Sequence, residues 1–274
     1  MGRIGNAWRI AKASWAVLAK DRELAVIPVV AGVGSLLAFA ALAGPGYLLL
    51  GGSDAVETSN VALWLVVAAA TVAATWVSAI GQAAVVAGAG QRMDGDDPTL
   101  TTAYATARTR IGRLLGWAAL ATVVSMVLDQ IEQRLGVLGR VVSWIGGVAF
   151  AVMSFLALPV IVFEDVGAIE AFKRSSRMLK GTWGEQVTFS FGLGLLGFVV
   201  ALPAVVVGVG LAATGILPLV VLGVAAAVVW VVLVVAITSA LSAVFKTALY
   251  RWAKGLPVDP AFDADELSGA FRAR

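Results

Sequence analysis

The sequence predicts an all-α polytopic membrane protein with about six transmembrane helices plus amphipathic interfacial helices. Residues 186–245 form a run of sixty positions without one Asp, Glu, Lys or Arg. Because roughly 20 apolar helical residues cross the hydrocarbon core of a bilayer, this run is long enough for two passes. The composition agrees, since 60% of the chain is hydrophobic and its mean hydropathy is +0.92. Soluble domains use roughly 45–50% apolar residues, so a membrane fold is expected.

Six apolar segments without charged residues are predicted to span the bilayer. A helix satisfies its own backbone hydrogen bonds, which makes it the spanning structure expected of each segment. Turn-forming residues between Ala213 and Pro218 divide the long charge-free run into two spans. Residues 1–255 are then a single transmembrane domain, and residues 256–274 are a short, flexible cytoplasmic tail. The predicted spans are residues 24–50, 61–90, 114–128, 141–163, 187–213 and 219–245.

The distribution of Lys and Arg predicts that both termini lie in the cytoplasm. With the N-terminus inside, the inner segments hold eighteen of the twenty basic residues, and the outer loops hold only Arg134 and Arg140. Short cytoplasmic loops of membrane proteins carry such an excess of positive charge. Abundant Ala, Val, Gly and Arg is typical of a GC-rich bacterial genome, so the expected location is the bacterial cytoplasmic membrane. Topology also explains the net charge of +3, so nucleic acid is not an expected partner.

Three similar basic stretches, residues 7–15, 103–111 and 171–179, each precede a pair of spans. Each has an Ala followed by an aromatic residue, a small residue four positions after that Ala, and a large apolar residue eight positions after it. These offsets lie near one face of a helix. The pattern predicts three repeats of an interfacial helix and a transmembrane hairpin. The apolar stripe of each interfacial helix is expected to lie toward the acyl chains.

The cations of these stretches are expected to meet anionic lipid phosphates, at about 1 kcal/mol each near the surface. The alternative is that they only set the topology of the chain. The predicted contacts with lipid headgroups or a partner are Arg9, Lys12, Arg108, Arg110, Arg113, Lys173, Arg174, Arg177 and Lys180.

The sequence offers little chemistry, because the chain has no Cys and no His. The acidic residues 94–97 lack the spacing of a calcium loop and are interpreted as a capped helix start, with Asp97 as the N-cap. Glu164 and Asp165 either pair with Lys173 or Arg174, or simply end a span in solvent. No catalytic residue, metal ligand or cofactor is therefore expected.

One span carries a polar stripe. Its members fall at i, i+4, i+7 and i+11, and so share a face of the helix. This face either lines a pathway or, as such residues more often do, hydrogen-bonds to a neighbouring helix. The residues of the stripe are Thr71, Thr75, Ser78 and Gln82.

Several motifs resemble a known family. Residues 158–164, 170–175 and 179–184 resemble a motif of bacterial six-helix membrane proteins of unknown function, and residues 8–28, 92–95 and 248–251 also look like that family. The broader group is similar to the membrane domain found beside glycerophosphodiester phosphodiesterases. The resemblance implies an all-helical integral membrane fold and brings no catalytic residue.

These observations lead us to expect a non-enzymatic integral membrane protein. It would serve as a scaffold or subunit of a cell-envelope complex that contacts anionic lipid, with a second copy or other membrane proteins as partners. The alternative is a transporter or channel for a small or lipidic molecule, for which the stripe that includes Gln82 is the candidate pathway.

Overall fold

The computed structural model describes residues 3–50, 61–179 and 183–262, which fold almost entirely into α-helices. No strand occurs in these ranges, so the prediction of an all-α protein is confirmed. In chain order the helices are α1 Arg3–Lys20, α2 Arg22–Leu49, α3 Val61–Met93, α4 Leu100–Arg108, α5 Ile111–Met153, α6 Ala157–Glu164, α7 Ala168–Leu179, α8 Trp183–Ala212 and α9 Leu217–Ala253.

Four segments of the described chain are long and apolar enough to cross a membrane, where the sequence predicted six. They are Glu23–Leu49, Val61–Met93, Ile111–Glu164 and Pro218–Ala253, and Gly197–Leu211 is a shorter apolar helical segment. Large apolar side chains on these helices are exposed, as is typical of a surface that faces lipid. The class of membrane protein follows, and the count of six spans stays a prediction.

Part of the difference in span number arises because α5 is a helical hairpin. Its backbone leaves helical geometry at Gly136, where φ is +57° and ψ is −125°. The rings of Trp117 and Phe150 stack with their centroids 6.0 Å apart, although a straight helix would separate these residues by about 50 Å. The arms 111–135 and 137–153 contain the predicted third span and the start of the fourth. The first arm continues past residue 128, where the third span was predicted to end.

The fourth predicted span is broken between α5 and α6. Residues 154–156 form a turn, and the N–H of Leu156 donates a hydrogen bond of 3.0 Å to Ser175 Oγ on α7. Helix α6 then resumes with residues 157–162 all buried. The hydroxyl of Ser175 thus satisfies a backbone donor that the break would otherwise leave unpaired.

The predicted turn within the long apolar run is confirmed. Helix α8 ends at Ala212, α9 begins at Leu217, and Gly215 in the connection has a φ of +68°. The two helices pack closely, since a methyl group added at Gly208 would lie 2.9 Å from Ala227 Cβ. Gly208 therefore serves packing within this hairpin.

The three predicted amphipathic helices are present as α1, α4 and α7, but the direction of their apolar stripe was predicted wrongly. Ala103 and Ala107 on α4 are fully buried within the protein, as are Ala171 and Ser175 on α7. A residue without exposed surface cannot reach acyl chains. Phe172 follows the same pattern, because its ring stacks on Phe150 at 5.6 Å.

Helix α1 departs from the predicted pattern. Its buried face consists of Ala13, Ser14, Val17 and Leu18, while Trp15 from the predicted stripe is 51% exposed. Small residues let the helices approach closely, so packing on neighbouring helices, rather than on lipid, selects these faces.

The chain forms two compact units. One contains Met1–Val29, Ala89–Pro98 and Gly181–Arg274, and the other contains Val30–Gly88 and Thr99–Lys180. The first unit therefore holds α1, α8 and α9, and the second holds α4, α5, α6 and α7. The boundaries fall within α2 and α3.

Candidate functional site

The nine cations predicted to bind lipid or a partner separate into groups. Lys12, Arg108 and Lys173 have exposed side chains. Four others are bound to carboxylates of the protein: Arg110, Arg113, Arg174 and Arg177. The side chain of Arg9 and the whole of Lys180 lie outside the described residues.

Arg110 and Arg113 join the start of α5 to the end of α6 through ion pairs with Asp165. Their Nη1 atoms lie 2.5 and 2.6 Å from Asp165 Oδ1, and Arg110 Nε also donates to the carbonyl oxygen of Val162 at 3.2 Å. Asp165 is in the left-handed conformation, with a φ of 55°, as the residue that ends α6. A cation at a helix C-terminus also interacts favourably with the helix dipole. These two arginines are therefore structural.

Arg174 joins α6 to α7. It donates to Glu164 Oε2 at 2.5 Å and to Glu170 Oε1 at 2.8 Å, and Arg177 approaches the same Glu170 oxygen at 3.4 Å. The hydrogen bond from Arg174 lowers the pKa of Glu170 below its usual range, and the bonds to Glu170 and Glu164 raise the pKa of Arg174. The interpretation that Glu164 merely ends a span in solvent was wrong, because its carboxylate pairs with Arg174.

In the other unit, Arg92 near the end of α3 binds two carboxylates. It donates to both oxygens of Asp21, which lies between α1 and α2, and to Asp97 Oδ1 at 2.5 Å. The side chain of Asp21 is 4% exposed and that of Asp97 is 89% exposed. Asp97 was predicted to cap the helix that follows. The structure instead gives that role to Thr99, whose hydroxyl accepts from the N–H of Thr102.

Arg251, at the end of α9, is 5% exposed. Its guanidinium donates to Asp94, and its Nε donates to the carbonyl oxygen of Pro257 at 2.7 Å. Lys20 Nζ donates to Asp259 Oδ2 at 3.0 Å. The tail was predicted to be flexible, but residues 256–262 are held against the helix ends by these contacts. The tail beyond residue 262 lies outside the described residues.

Asp21, Arg92, Arg251 and Asp259 were not among the predicted site residues, and Asp94 was interpreted only as part of a capped helix start. Asp21, Arg92, Asp94 and Arg251 are charged residues near the ends of predicted spans, which is the one signal that singles them out, and Asp259 carries no such signal. Their pairing is not visible in the sequence, because Arg92 lies 71 residues from Asp21 and Arg251 lies 157 residues from Asp94.

The exposed cations differ from these paired arginines. Within the described part of the chain, the side chains of Lys12, Arg108 and Lys173 make no hydrogen bond or ion pair. One belongs to each amphipathic helix, α1, α4 and α7 respectively. An ammonium or guanidinium group in this position is available to a phosphate or another anion.

The polar stripe on α3 is half-buried along its length. Thr71 Oγ1 donates to the carbonyl oxygen of Val67 at 2.8 Å, and Gln82 Nε2 donates to Ser78 Oγ at 3.3 Å. Both hydrogen bonds are internal to α3, and neither joins the stripe to another helix. Among the described residues no three carboxylates group as a metal site.

Residues 60–257 of the chain match the model of a family of unknown function (DUF6159). The matched region runs from the start of α3 to just beyond α9. No curated protein and no solved structure matches the chain.

Proposed function

Because the chain belongs to a family of unknown function (DUF6159), we propose its function from its own side chains. The protein is a non-enzymatic integral membrane protein of the bacterial cytoplasmic membrane. It acts as a scaffold or subunit of a cell-envelope complex and binds anionic lipid. The partners are other membrane proteins or a second copy of the chain. The predicted relation to the membrane domain beside glycerophosphodiester phosphodiesterases stays a prediction, and the proposal does not depend on it.

One observation carries the proposal: among the described side chains of α1, α4 and α7, each helix has one exposed cation without a hydrogen bond or ion pair, and these are Lys12, Arg108 and Lys173. Arg108 stands two residues from Arg110, and Lys173 stands beside Arg174, yet only Arg110 and Arg174 have carboxylate partners. Basic residues on interfacial helices attract anionic lipid at about 1 kcal/mol each. The paired arginines fix the helices, and the unpaired cations are left to bind phosphate.

The environment of the carboxylates supports a non-enzymatic role. Asp21, Asp94, Glu164 and Asp165 each form an ion pair with arginine, so these carboxylates serve structural contacts. The chain also has no His or Cys to supply a base or a nucleophile.

The test compares neighbouring cations by native mass spectrometry of the full chain with added phosphatidylglycerol. The double variant Arg108→Gln with Lys173→Gln removes two unpaired charges. We expect roughly thirtyfold weaker lipid binding, from about 1 kcal/mol per charge. We expect its free energy of unfolding to stay within about 0.5 kcal/mol of the original.

The matched control is Arg110→Gln, which removes a paired charge from the same segment. It should lower the free energy of unfolding by about 1–2 kcal/mol through the loss of its bonds to Asp165 and Val162. Its effect on lipid binding should be small. Unchanged phosphatidylglycerol binding in the double variant would refute the proposed lipid contact. The mass of particles extracted from the native membrane tests the scaffold role, which requires a stoichiometric partner or a defined oligomer.

A transporter or channel is the second candidate, and two observations favour it. The apolar segment Ile111–Glu164 is interrupted at residues 154–156, and interrupted helices build many transport sites. The stripe on α3 also retains half-exposed polar groups. A salt conductance across a planar bilayer that Gln82→Leu changes would favour this candidate over the scaffold.

A further inference from the structure

A shallow, open groove lies along the first arm of the α5 hairpin, and every residue that lines it belongs to that arm. The apolar residues Val123, Met126, Val127 and Ile131 line it, and Gln130 and Arg134 bring polar groups to its end near Gly136. These positions recur every three or four residues, so they form one face of the arm. Val123 and Val127 are 57% and 53% exposed, and the face is therefore open to what surrounds the protein.

The dimensions of the groove fit one leaflet of a bilayer. From residue 123 to residue 134 the helix rises about 17 Å. Half of the hydrocarbon core of a bilayer is about 15 Å thick. The apolar wall thus has the length of one leaflet, and Arg134 lies two residues before the turn that ends the arm.

Arg134 provides a charge that no carboxylate of the described residues pairs with. Its side chain makes no hydrogen bond or ion pair with the described residues. The carboxylate of Glu132, in the same turn, is 3.3 Å from Arg140 Nε on the second arm. An exposed guanidinium at the end of an apolar groove complements a phosphate attached to an acyl chain.

We propose that the groove holds one phospholipid of the leaflet beside the hairpin turn. An acyl chain lies along Val123, Val127 and Ile131, and the phosphate binds Arg134. This site is separate from the cations of α4 and α7, because the length of the arm, about 36 Å, divides the turn from the start of α5. Arg110 and Arg113 hold that start of α5 to Asp165, immediately before α7.

The test is photo-crosslinking of the full chain, reconstituted with phosphatidylglycerol that carries a diazirine on its acyl chain. Crosslinked peptides are mapped by mass spectrometry. We expect labelling of residues 123–131 to exceed labelling of the exposed residues Val141, Val142, Trp144 and Ile145 on the second arm. Arg134→Gln should lower labelling at residues 123–131 about fivefold, the value expected for one interfacial charge.

The double variant Glu132→Gln with Arg140→Gln is the matched control, since it removes the ion pair of the same turn, leaves Arg134 without a new carboxylate partner and should leave the labelling unchanged. Val127→Trp fills the groove and should also lower labelling at residue 123, whereas Val142→Trp on the second arm should not. The double variant Arg108→Gln with Lys173→Gln should keep the groove labelled, which separates this site from the proposed lipid contact of the amphipathic helices. Equal labelling of both arms, or labelling that Arg134→Gln does not change, would show ordinary surrounding lipid and overturn the proposal.

Discussion

Asp21 holds Arg92 through hydrogen bonds to both carboxylate oxygens, and its side chain is 4% exposed. A charge in such a position is stable only with its partner, because a buried ion without one lacks both water and a counter-ion. The same reasoning applies to Arg251, which Asp94 and the Pro257 carbonyl satisfy. At the scale of single residues, many of the charges beside the apolar segments bind other charges of the same unit.

Replacing Asp21 should therefore destabilise the protein strongly. We expect Asp21→Ala to lower the free energy of unfolding by about 3 kcal/mol, as when one partner of a buried pair is removed. In this variant Arg92 still pairs with Asp97. The loss of unfolding free energy should therefore lie near the lower end of the range measured when one partner of a buried ion pair is removed. Denaturation in mixed detergent micelles, followed by circular dichroism, measures the change.

Asp96→Ala is the control for this substitution. Asp96 is exposed, and its side chain has no partner among the described residues, so its loss should change the free energy of unfolding by less than about 0.5 kcal/mol. Equal stability of the two variants would mean that the pair between Asp21 and Arg92 contributes little.

At the scale of elements, helix ends and breaks determine where each apolar segment stays helical and where the chain turns. Gly136 converts a long apolar helix into two arms, and Gly215 allows the tight connection from α8 to α9. Ser175 satisfies the backbone where α5 gives way to α6. Each of these small residues adopts a conformation, or makes a contact, that hydropathy does not reveal.

The hairpin turn gives a sharp test of this conclusion. The φ of +57° and ψ of −125° at Gly136 are poorly accessible to a residue with a Cβ atom, so Gly136→Ala should cost about 1–3 kcal/mol of unfolding free energy. An added methyl group there would meet no atom within 4 Å, so the expected loss comes from the backbone alone.

Gly112→Ala is the matched control in the same helix. It also has open space around the added methyl group, but its φ is not positive. Alanine favours a helix over glycine by roughly 0.5–1 kcal/mol, so this variant should be neutral or more stable. If the same unfolding assay showed Gly136→Ala to be as stable as Gly112→Ala, the hairpin geometry of α5 would be wrong.

At the scale of the whole molecule, the question is which side of the membrane each end of the helices faces. The basic segments and the two outer arginines predict that α1, α4 and α7 lie in the cytoplasm and that the Gly136 turn lies outside. The exposed residues Lys12, Arg108 and Lys173 test the predicted cytoplasmic side, and the exposed residue Arg140 tests the predicted outer side.

Because the chain has no native cysteine, single cysteines report topology directly. In intact cells, a membrane-impermeant maleimide should label Arg140→Cys. It should label Lys12→Cys, Arg108→Cys and Lys173→Cys only after the membrane is permeabilised. Labelling of Lys173→Cys and Arg140→Cys from the same side would contradict the predicted orientation. Labelling in detergent controls for differences in reactivity.

The sequence by itself determined the class of protein, the positions of the amphipathic helices and the turn at residues 213–216. These features depend on local hydropathy and on turn-forming residues, and both can be read over a few neighbouring positions. The exposed cations were also among the predicted residues, but nothing in the sequence distinguished them from Arg110 and Arg174, which proved to be paired.

Only the tertiary structure decided which cations remain free, which face of each amphipathic helix is buried, and where the tail docks. Each of these depends on contacts between distant parts of the chain, such as Lys20 with Asp259 across 239 residues. A basic residue has the same local pattern whether its partner is a carboxylate or a lipid phosphate. Its assignment requires the folded chain, because the energy of a charge depends on what lies within a few ångströms of it.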